Sequence, residues 1–234
     1  SSLDHMQFLG NTVREIAGEK AGIIVPGVPV IYDGNDKDAA EVIAAKAKEL
    51  GSPAYKVVQA GAKVLGNNKD GIDFSLEDDY YGDTRFHIPF IAWYQVMNAS
   101  LALTTMEVLK DRIPVTMEQL QAGIANTRWQ GRMETILPGV IVDGAHNEDG
   151  VRRFVETAER FQKEYPLTLL FSAVNDKDYQ DMIHTICSRI KFRKVVTTEV
   201  GGYREVPSAE LAEIFCKEGC KDVGNSDNIE EAFH

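Results

Sequence analysis

The sequence lacks the features of a membrane-spanning or disulfide-stabilised protein. No apolar run approaches the roughly 18–20 residues that a membrane-spanning helix needs, and the longest one, residues 21–32, is interrupted by two glycines and two prolines. The three cysteines, Cys187, Cys216 and Cys220, are too few for a closed disulfide framework. Cys216 and Cys220 are four residues apart, and no second Cys/His pair lies near these two to complete a zinc site. We therefore expect reduced thiols in a cytoplasmic protein.

Positive charge is also scarce. The 234 residues contain 25 Lys and Arg against 36 Asp and Glu, which gives a formal net charge of −11. Nucleic acids and membrane surfaces are themselves anionic, so this excess of acid argues against both as general partners. Binding of a small anionic ligand in a local basic pocket remains compatible with this net charge.

Two nucleotide-binding fingerprints are missing as well. The sequence contains neither the Gly-x-x-x-x-Gly-Lys-Ser/Thr pattern of a P-loop nor the Gly-x-Gly-x-x-Gly pattern of a dinucleotide site. Residue spacing alone therefore indicates only a two-part α/β protein with a candidate cleft.

The α/β fold class is predicted from the order of helices and strands along the chain. Up to residue 125 we expect a helix opened by a capping box at Thr12, a strand at 28–32, a helix capped by Asp36, short antiparallel strands within 60–90, and two more helices. After a boundary near 127–131, strands and helices alternate, which predicts crossover connections and a parallel sheet. The predicted domains are residues 1–128 and 129–234.

The segment after the predicted strand at 140–143 is the first candidate site. Asp143 and His146 follow a buried-looking strand, and ligands of open α/β sheets bind beyond the carboxyl ends of strands. A polar turn that caps the next helix through Asn147 or Asp149 explains the same pattern equally well.

Four further residues are candidates, each with an ordinary alternative. Arg132, near the boundary, can reach a phosphate with its planar guanidinium, although pairing with a carboxylate such as Glu134 is the commoner role. Lys20 reads as a solvated lysine at a helix end, and Asn98 as a buried asparagine satisfied by backbone. His5 can ligate a metal, but a lone histidine usually does not.

Five short blocks together resemble the folylpolyglutamate synthase and dihydrofolate synthase family, which belongs to the Mur ligase superfamily of ATP-dependent amide ligases. They occur in the family's order and approximate spacing: LDHMQFLGNT at 3–12, IAGEKAGII at 16–24, YQVMNA at 94–99, GRME at 131–134 and DGAHN at 143–147. The resemblance implies the second half of a P-loop-type ATPase domain, the central domain of Mur ligases, followed by a smaller Rossmann-like α/β domain with a mostly parallel sheet. The family's upstream P-loop and metal-binding glutamate, and a final strand bearing a serine, have no counterpart in these residues.

The resemblance also implies roles for the candidate residues. His5 would ligate Mg²⁺, and Lys20, carbamylated by CO₂, would supply an oxygen ligand to a second Mg²⁺. Asn98, Arg132 and Asp143 would contact ATP. His146 would help to place the incoming glutamate or the reacting carboxylate.

The implied activity is ATP-dependent addition of L-glutamate to a folate carboxylate through an acyl phosphate, by a monomer with no nucleic-acid or membrane partner. Dihydrofolate synthase activity, alone or together with the first, is the nearest alternative. A non-catalytic module that binds a nucleotide or a partner is an alternative of another class. Without a P-loop, we expect these residues alone to show no ligase activity.

Overall fold

The computed structural model describes residues 12–68, 70–175, 177–202 and 204–234, and it divides into two compact units, Ser1–Val142 and Asp143–His234. His5 lies outside the described residues. In the described part of the chain, no helix has the length and apolar character needed to cross a membrane.

The first unit contains both parallel and antiparallel strands. Its elements are α1 Val13–Ala21, β1 Val30–Asp33, α2 Lys37–Glu49, β2 Ala54–Val57, β3 Ala62–Asn68, β4 Gly71–Leu76, β5 Phe86–Ile88, α3 Tyr94–Val108, α4 Met117–Ala125, β6 Glu134–Leu137 and β7 Val140–Val142. Strands β1 and β2 pair in parallel, β3–β4–β5 form an antiparallel sheet, and β6–β7 form an antiparallel hairpin.

Local side-chain chemistry sets the ends of these helices. Thr12 and Thr116 form capping boxes at the starts of α1 and α4, and the Asp36 carboxylate accepts a hydrogen bond from the Ala39 N–H at the start of α2. The predicted helices of this unit are thus confirmed, as are the short antiparallel strands within 60–90.

The core of the first unit lies between the antiparallel sheet and the helices α3 and α4. It is built from the fully buried Phe74 and Phe86, whose ring centroids are 5.7 Å apart, together with Leu103 of α3 and Leu120 of α4. Tyr81 packs its ring edge against Phe86 and donates its hydroxyl to the Leu103 carbonyl at 2.7 Å. This core holds α3 against the sheet.

The second unit is an alternating α/β arrangement. Its elements are α5 Glu148–Phe161, β8 Leu167–Phe171, α6 Tyr179–Arg189, β9 Phe192–Thr198, α7 Ser208–Lys217, β10 Val223–Ser226 and α8 Ile229–Phe233. The three strands are parallel in the order β10–β9–β8, and apolar residues of α5, α6 and α7 pack with them. The predicted parallel sheet is confirmed for these strands.

One strand of the predicted parallel series is paired differently. β7, which we expected to begin the parallel sheet, pairs antiparallel with β6, and Glu134 lies opposite Val142. The short Pro138–Gly139 connection, with Gly139 at φ +80°, allows the chain to fold back on itself, whereas a parallel pairing needs a long crossover.

A buried serine joins α7 to the carboxyl ends of β9 and β10. The Ser208 hydroxyl donates to the Asp227 carboxylate at 2.5 Å and accepts from the Asn225 amide at 3.2 Å. The Thr197 hydroxyl donates to the Ser208 carbonyl at 2.7 Å, and the Ser208 N–H donates to the Glu199 carboxylate at 3.0 Å. Ser208 is fully buried, so all these groups are satisfied within the protein.

Candidate functional site

In the first unit, a polar turn at the carboxyl end of β1 lies beside α3. The Asp33 carboxylate accepts from the Asn35 backbone N–H at 2.9 Å and from its side-chain amide at 2.8 Å, while the Asn35 oxygen accepts from the Gln59 N–H at 3.0 Å. The Asn35 amide nitrogen also lies 3.5 Å from the Met97 sulfur of α3. The carboxyl ends of parallel strands are the usual ligand position in α/β sheets, so this turn marks one side of a candidate site.

Asn98 is the residue after Met97. Its side chain is exposed, and its amide donates to the buried Gln95 oxygen at 2.8 Å, one turn earlier on the helix. The alternative of a buried asparagine satisfied by backbone is therefore wrong. The hydrogen bond to Gln95 fixes the orientation of the Asn98 amide group and leaves its carbonyl oxygen outside that bond. Contact of Asn98 with ATP stays a prediction.

Lys20 lies in the last turn of α1 and is exposed, as expected for a solvated lysine at a helix end. Burial, which would favour the free amine that carbamylation needs, is therefore not found at this side chain. Within the described residues, no group of three or more His, Cys, Asp or Glu side chains is placed to hold a metal ion. The described residues do not by themselves fit a Mg²⁺ site, and we derive no chemical step through a metal.

Arg132 lies in a tight loop directly before β6. Gly131 and Met133 on either side of it adopt φ values of +65° and +50°. The Glu134 carboxylate, the expected ion-pair partner of Arg132, accepts instead from the Gly131 N–H at 2.9 Å. Arg132 is half-buried and has no ion-pair partner among the described residues, so its alternative role as a structural salt bridge with Glu134 is not found.

In the second unit, Asp143 and His146 belong to one turn. The Asp143 carboxylate accepts from the Ala145 N–H at 2.8 Å, and the His146 Nδ1 lies 2.8 Å from the Gly144 carbonyl oxygen. A carbonyl can only accept, so Nδ1 must carry the proton and donate it. In the neutral ring, Nε2 is then the acceptor, and the exposed ring can offer it to a ligand.

The helix cap that we considered for this segment is also present. The Asn147 oxygen accepts from the Gly150 N–H at 2.7 Å and starts α5. A capping role therefore accounts for Asn147, while the ligand contacts of Asp143 and His146 stay predictions. The turn holds both side chains at the start of a helix, where backbone N–H groups favour negative charge.

Two features of this region escaped the sequence analysis. In the first turn of α5, the Asp149 carboxylate pairs with Arg152 and, at 3.0 Å, with Arg153; burial alone would raise the pKa of Asp149, but hydrogen bonds from both guanidinium groups lower it. The i, i+3 and i, i+4 spacing was the available signal. The second feature is the hydrogen bond from the Gly131 N–H to the Glu134 carboxylate. A glycine followed three residues later by a glutamate predicts such a bond only weakly.

The predicted residues fall into separate groups. Asp143 and His146 share one turn, whereas Lys20, Asn98 and Arg132 lie on three different elements of the first unit. Within the described part of the chain, no hydrogen bond or ion pair joins these three to one another.

The part of the chain that starts at the Gly131 loop is similar to a known family of domains. Residues 131–234 match the family model of the Mur ligase, glutamate ligase domain. The predicted boundary at 128/129 lies close to the start of this match, while the two compact units divide after Val142.

Individual proteins similar to this chain include folylpolyglutamate and dihydrofolate synthases. The chain is 36% identical over 201 residues to the dihydrofolate synthase/folylpolyglutamate synthase of Bacillus subtilis, which covers 81% of this chain and 46% of that relative. It superimposes on the folylpolyglutamate synthase of Thermotoga maritima with a TM-score of 0.79 at 25% identity, over 95% of this chain and 52% of the other. A folylpolyglutamate synthase (FPGS) complex with AMPPCP and folate gives a TM-score of 0.75 at 28% identity, over 96% and 56%.

The predicted resemblance and the α/β fold class are thus confirmed. The chain spans about half the length of the curated relatives it matches. It is a relative of the folylpolyglutamate and dihydrofolate synthases.

Proposed function

We propose that the protein is an ATP-dependent ligase that joins L-glutamate to the carboxylate of a folate. The observation that carries this proposal is the similarity, over 96% of the chain, to an FPGS that binds both AMPPCP and folate. The proposal includes a cytoplasmic location, which the low number of cysteines, three in 234 residues, supports.

The reaction that we propose has two steps. The folate carboxylate attacks the terminal phosphorus of ATP, so that ADP leaves and an acyl phosphate forms. The glutamate amine then attacks the acyl carbon, inorganic phosphate leaves, and an amide remains. Both steps need neutralisation of phosphate charge and accurate positioning more than covalent help from the protein.

Arg132 suits the first step. Its guanidinium is always charged and offers several donors in one plane, which match phosphate oxygens. No carboxylate among the described residues neutralises it, because Glu134 is bonded to the Gly131 backbone. We assign Arg132 to the transferring phosphoryl group, and Asn98 and Asp143 to other parts of ATP.

His146 suits the second step. With Nδ1 donating to the Gly144 carbonyl, Nε2 of the neutral ring can accept a hydrogen bond from the amine of the incoming glutamate. This contact would orient the nucleophile without requiring the histidine to change its charge.

The test is substrate dependence of the full-length gene product. ADP release should require ATP, tetrahydrofolate and L-glutamate together, and mass spectrometry should find the folate longer by one glutamyl residue. Absence of ADP release with every folate tried would refute the proposal. Binding of AMPPCP without ADP release would identify a nucleotide-binding module instead.

Dihydropteroate is the second candidate acceptor, since the Bacillus subtilis relative is named for both activities. Running dihydropteroate and tetrahydrofolate in parallel assays separates the two. Turnover with dihydropteroate alone would assign the protein as a dihydrofolate synthase.

A further inference from the structure

The loop that carries Arg132 has an unusual backbone. Gly131 and Met133 both adopt left-handed conformations, at φ +65° and +50°, and among the described residues Met133 is the one non-glycine with positive φ. The Met133 side chain is 3% exposed, so the strained residue is also held in place by burial. Residues other than glycine adopt this conformation only when their surroundings impose it.

A side chain outside the strained residues closes this loop. The Glu134 Oε2 accepts a hydrogen bond from the Gly131 N–H at 2.9 Å, which ties the fourth residue of the loop to the first. Glu134 is itself fixed, because it is the first residue of β6 and pairs with Val142. A carboxylate that accepts from backbone N–H forms one of the stronger hydrogen bonds in proteins.

The same contact keeps Glu134 away from Arg132. The carboxylate is two residues from the guanidinium in sequence, yet the two form no ion pair among the residues that the structure describes. Arg132 therefore keeps its full charge for a ligand, while its backbone is held between two left-handed residues.

We propose that Glu134 is a positioning residue, whose carboxylate closes the loop 131–134 and thereby aims the Arg132 guanidinium at the transferring phosphoryl group. This inference rests on the proposed function. It requires the reach of the Glu134 side chain and an acceptor oxygen at its end, but it does not require the negative charge.

Three substitutions separate reach from charge. Glu134→Gln keeps the length and an oxygen that can accept from the Gly131 N–H, whereas Glu134→Asp keeps the charge but draws the oxygen back by one methylene. Glu134→Ala removes both. If Glu134 positions Arg132, turnover should fall in the order wild type, Gln, Asp, Ala, with Gln within about threefold of wild type and Ala lower by roughly tenfold or more, as for a displaced catalytic group.

A double-mutant cycle tests whether the effect passes through Arg132. In the full-length gene product, kcat, the KM for ATP and the urea unfolding midpoint are measured for wild type, Glu134→Ala, Arg132→Ala and the double variant. We expect the double variant to have the same kcat as Arg132→Ala, because loss of the Glu134 contact can no longer displace a guanidinium that has already been removed. The matched control is Glu164→Ala, an exposed glutamate whose removal should leave kcat and midpoint unchanged.

The outcomes distinguish this inference from the proposed function. No turnover by the wild-type protein would refute the proposed function itself. With an active wild type, an Asp variant more active than the Gln variant would mean that charge matters, and would overturn the positioning role. A double variant that loses the two single factors multiplied together would also overturn it. If Glu134→Ala fails to fold, the cycle is run with Glu134→Asp instead, and the comparison of the Gln and Asp variants still holds because both are small changes.

Discussion

Arg132→Ala should separate a ligand-binding arginine from a structural one. In the structure the guanidinium is half-buried and lacks an ion-pair partner among the described residues, and Glu134 is bonded to Gly131 instead. Its removal breaks no internal bond, so the free energy of unfolding should change by less than about 1 kcal/mol.

The cost to catalysis should be larger. Removal of one electrostatic stabiliser of a transition state typically lowers kcat by about 10²-fold or more, which corresponds to about 2.7 kcal/mol of activation free energy. Arg132→Lys should recover little of this loss, because a single ammonium cannot reproduce the planar set of donors. The expected effect on turnover thus exceeds the expected effect on stability by at least about 1.7 kcal/mol.

The assay measures kcat and urea unfolding on the same preparation of the full-length gene product. Arg85→Ala is the matched control, since the Arg85 guanidinium does pair with a carboxylate, that of Asp73 at 2.6 Å. This control should at most slightly lower the urea unfolding midpoint, because the Arg85 side chain is exposed to solvent, and should keep its kcat within about twofold. If Arg132→Ala behaves like the control, with reduced stability and unchanged turnover, the assignment of Arg132 to phosphate is wrong.

Three further predictions concern other sites. Lys20→Ala should lower turnover strongly, with partial recovery in bicarbonate or a short carboxylic acid, and wild-type turnover in this variant would exclude a carbamate. Tyr81→Phe removes the hydroxyl that donates to the Leu103 carbonyl and should lower the free energy of unfolding by about 1 kcal/mol in urea denaturation. Burial raises the pKa of Tyr81 above its ordinary 10.0, so the wild type should lose stability as the pH rises above about 10, and the Phe variant should lose less. Burial also raises the pKa of the Cys187 thiol, which lowers its thiolate fraction. Iodoacetamide at about pH 8 should therefore label the exposed Cys216 before Cys187, and equal labelling rates of the two thiols would contradict this.

The sequence predicted best those features that depend on neighbouring residues. The capping box at Thr12 and the cap at Asp36 were both predicted, because a capping side chain bonds to backbone only two or three residues away. The alternation of strands and helices after residue 140 was found for the same reason, since each crossover is a local unit.

Features that depend on which strands pair or on backbone conformation were missed. The strand at β7 was expected, but its antiparallel partner β6 was not, because hydrophobic pattern identifies a strand without naming its neighbour. The left-handed Met133 could not be expected from a residue type that rarely adopts positive φ. Sequence reasoning therefore located Arg132 but not the contact between Glu134 and Gly131 that shapes its loop.

The buried Ser208 has a consequence for how the second unit opens. One residue, through its N–H, carbonyl and hydroxyl, is bonded to both β9 and the segment that ends β10. These strands cannot part from α7 one at a time without leaving a buried polar group unsatisfied. In amide hydrogen exchange, the Ser208 N–H and the β9–β10 ladder should therefore open as a single cooperative unit, so that β10 detaches together with the start of α7 rather than by itself.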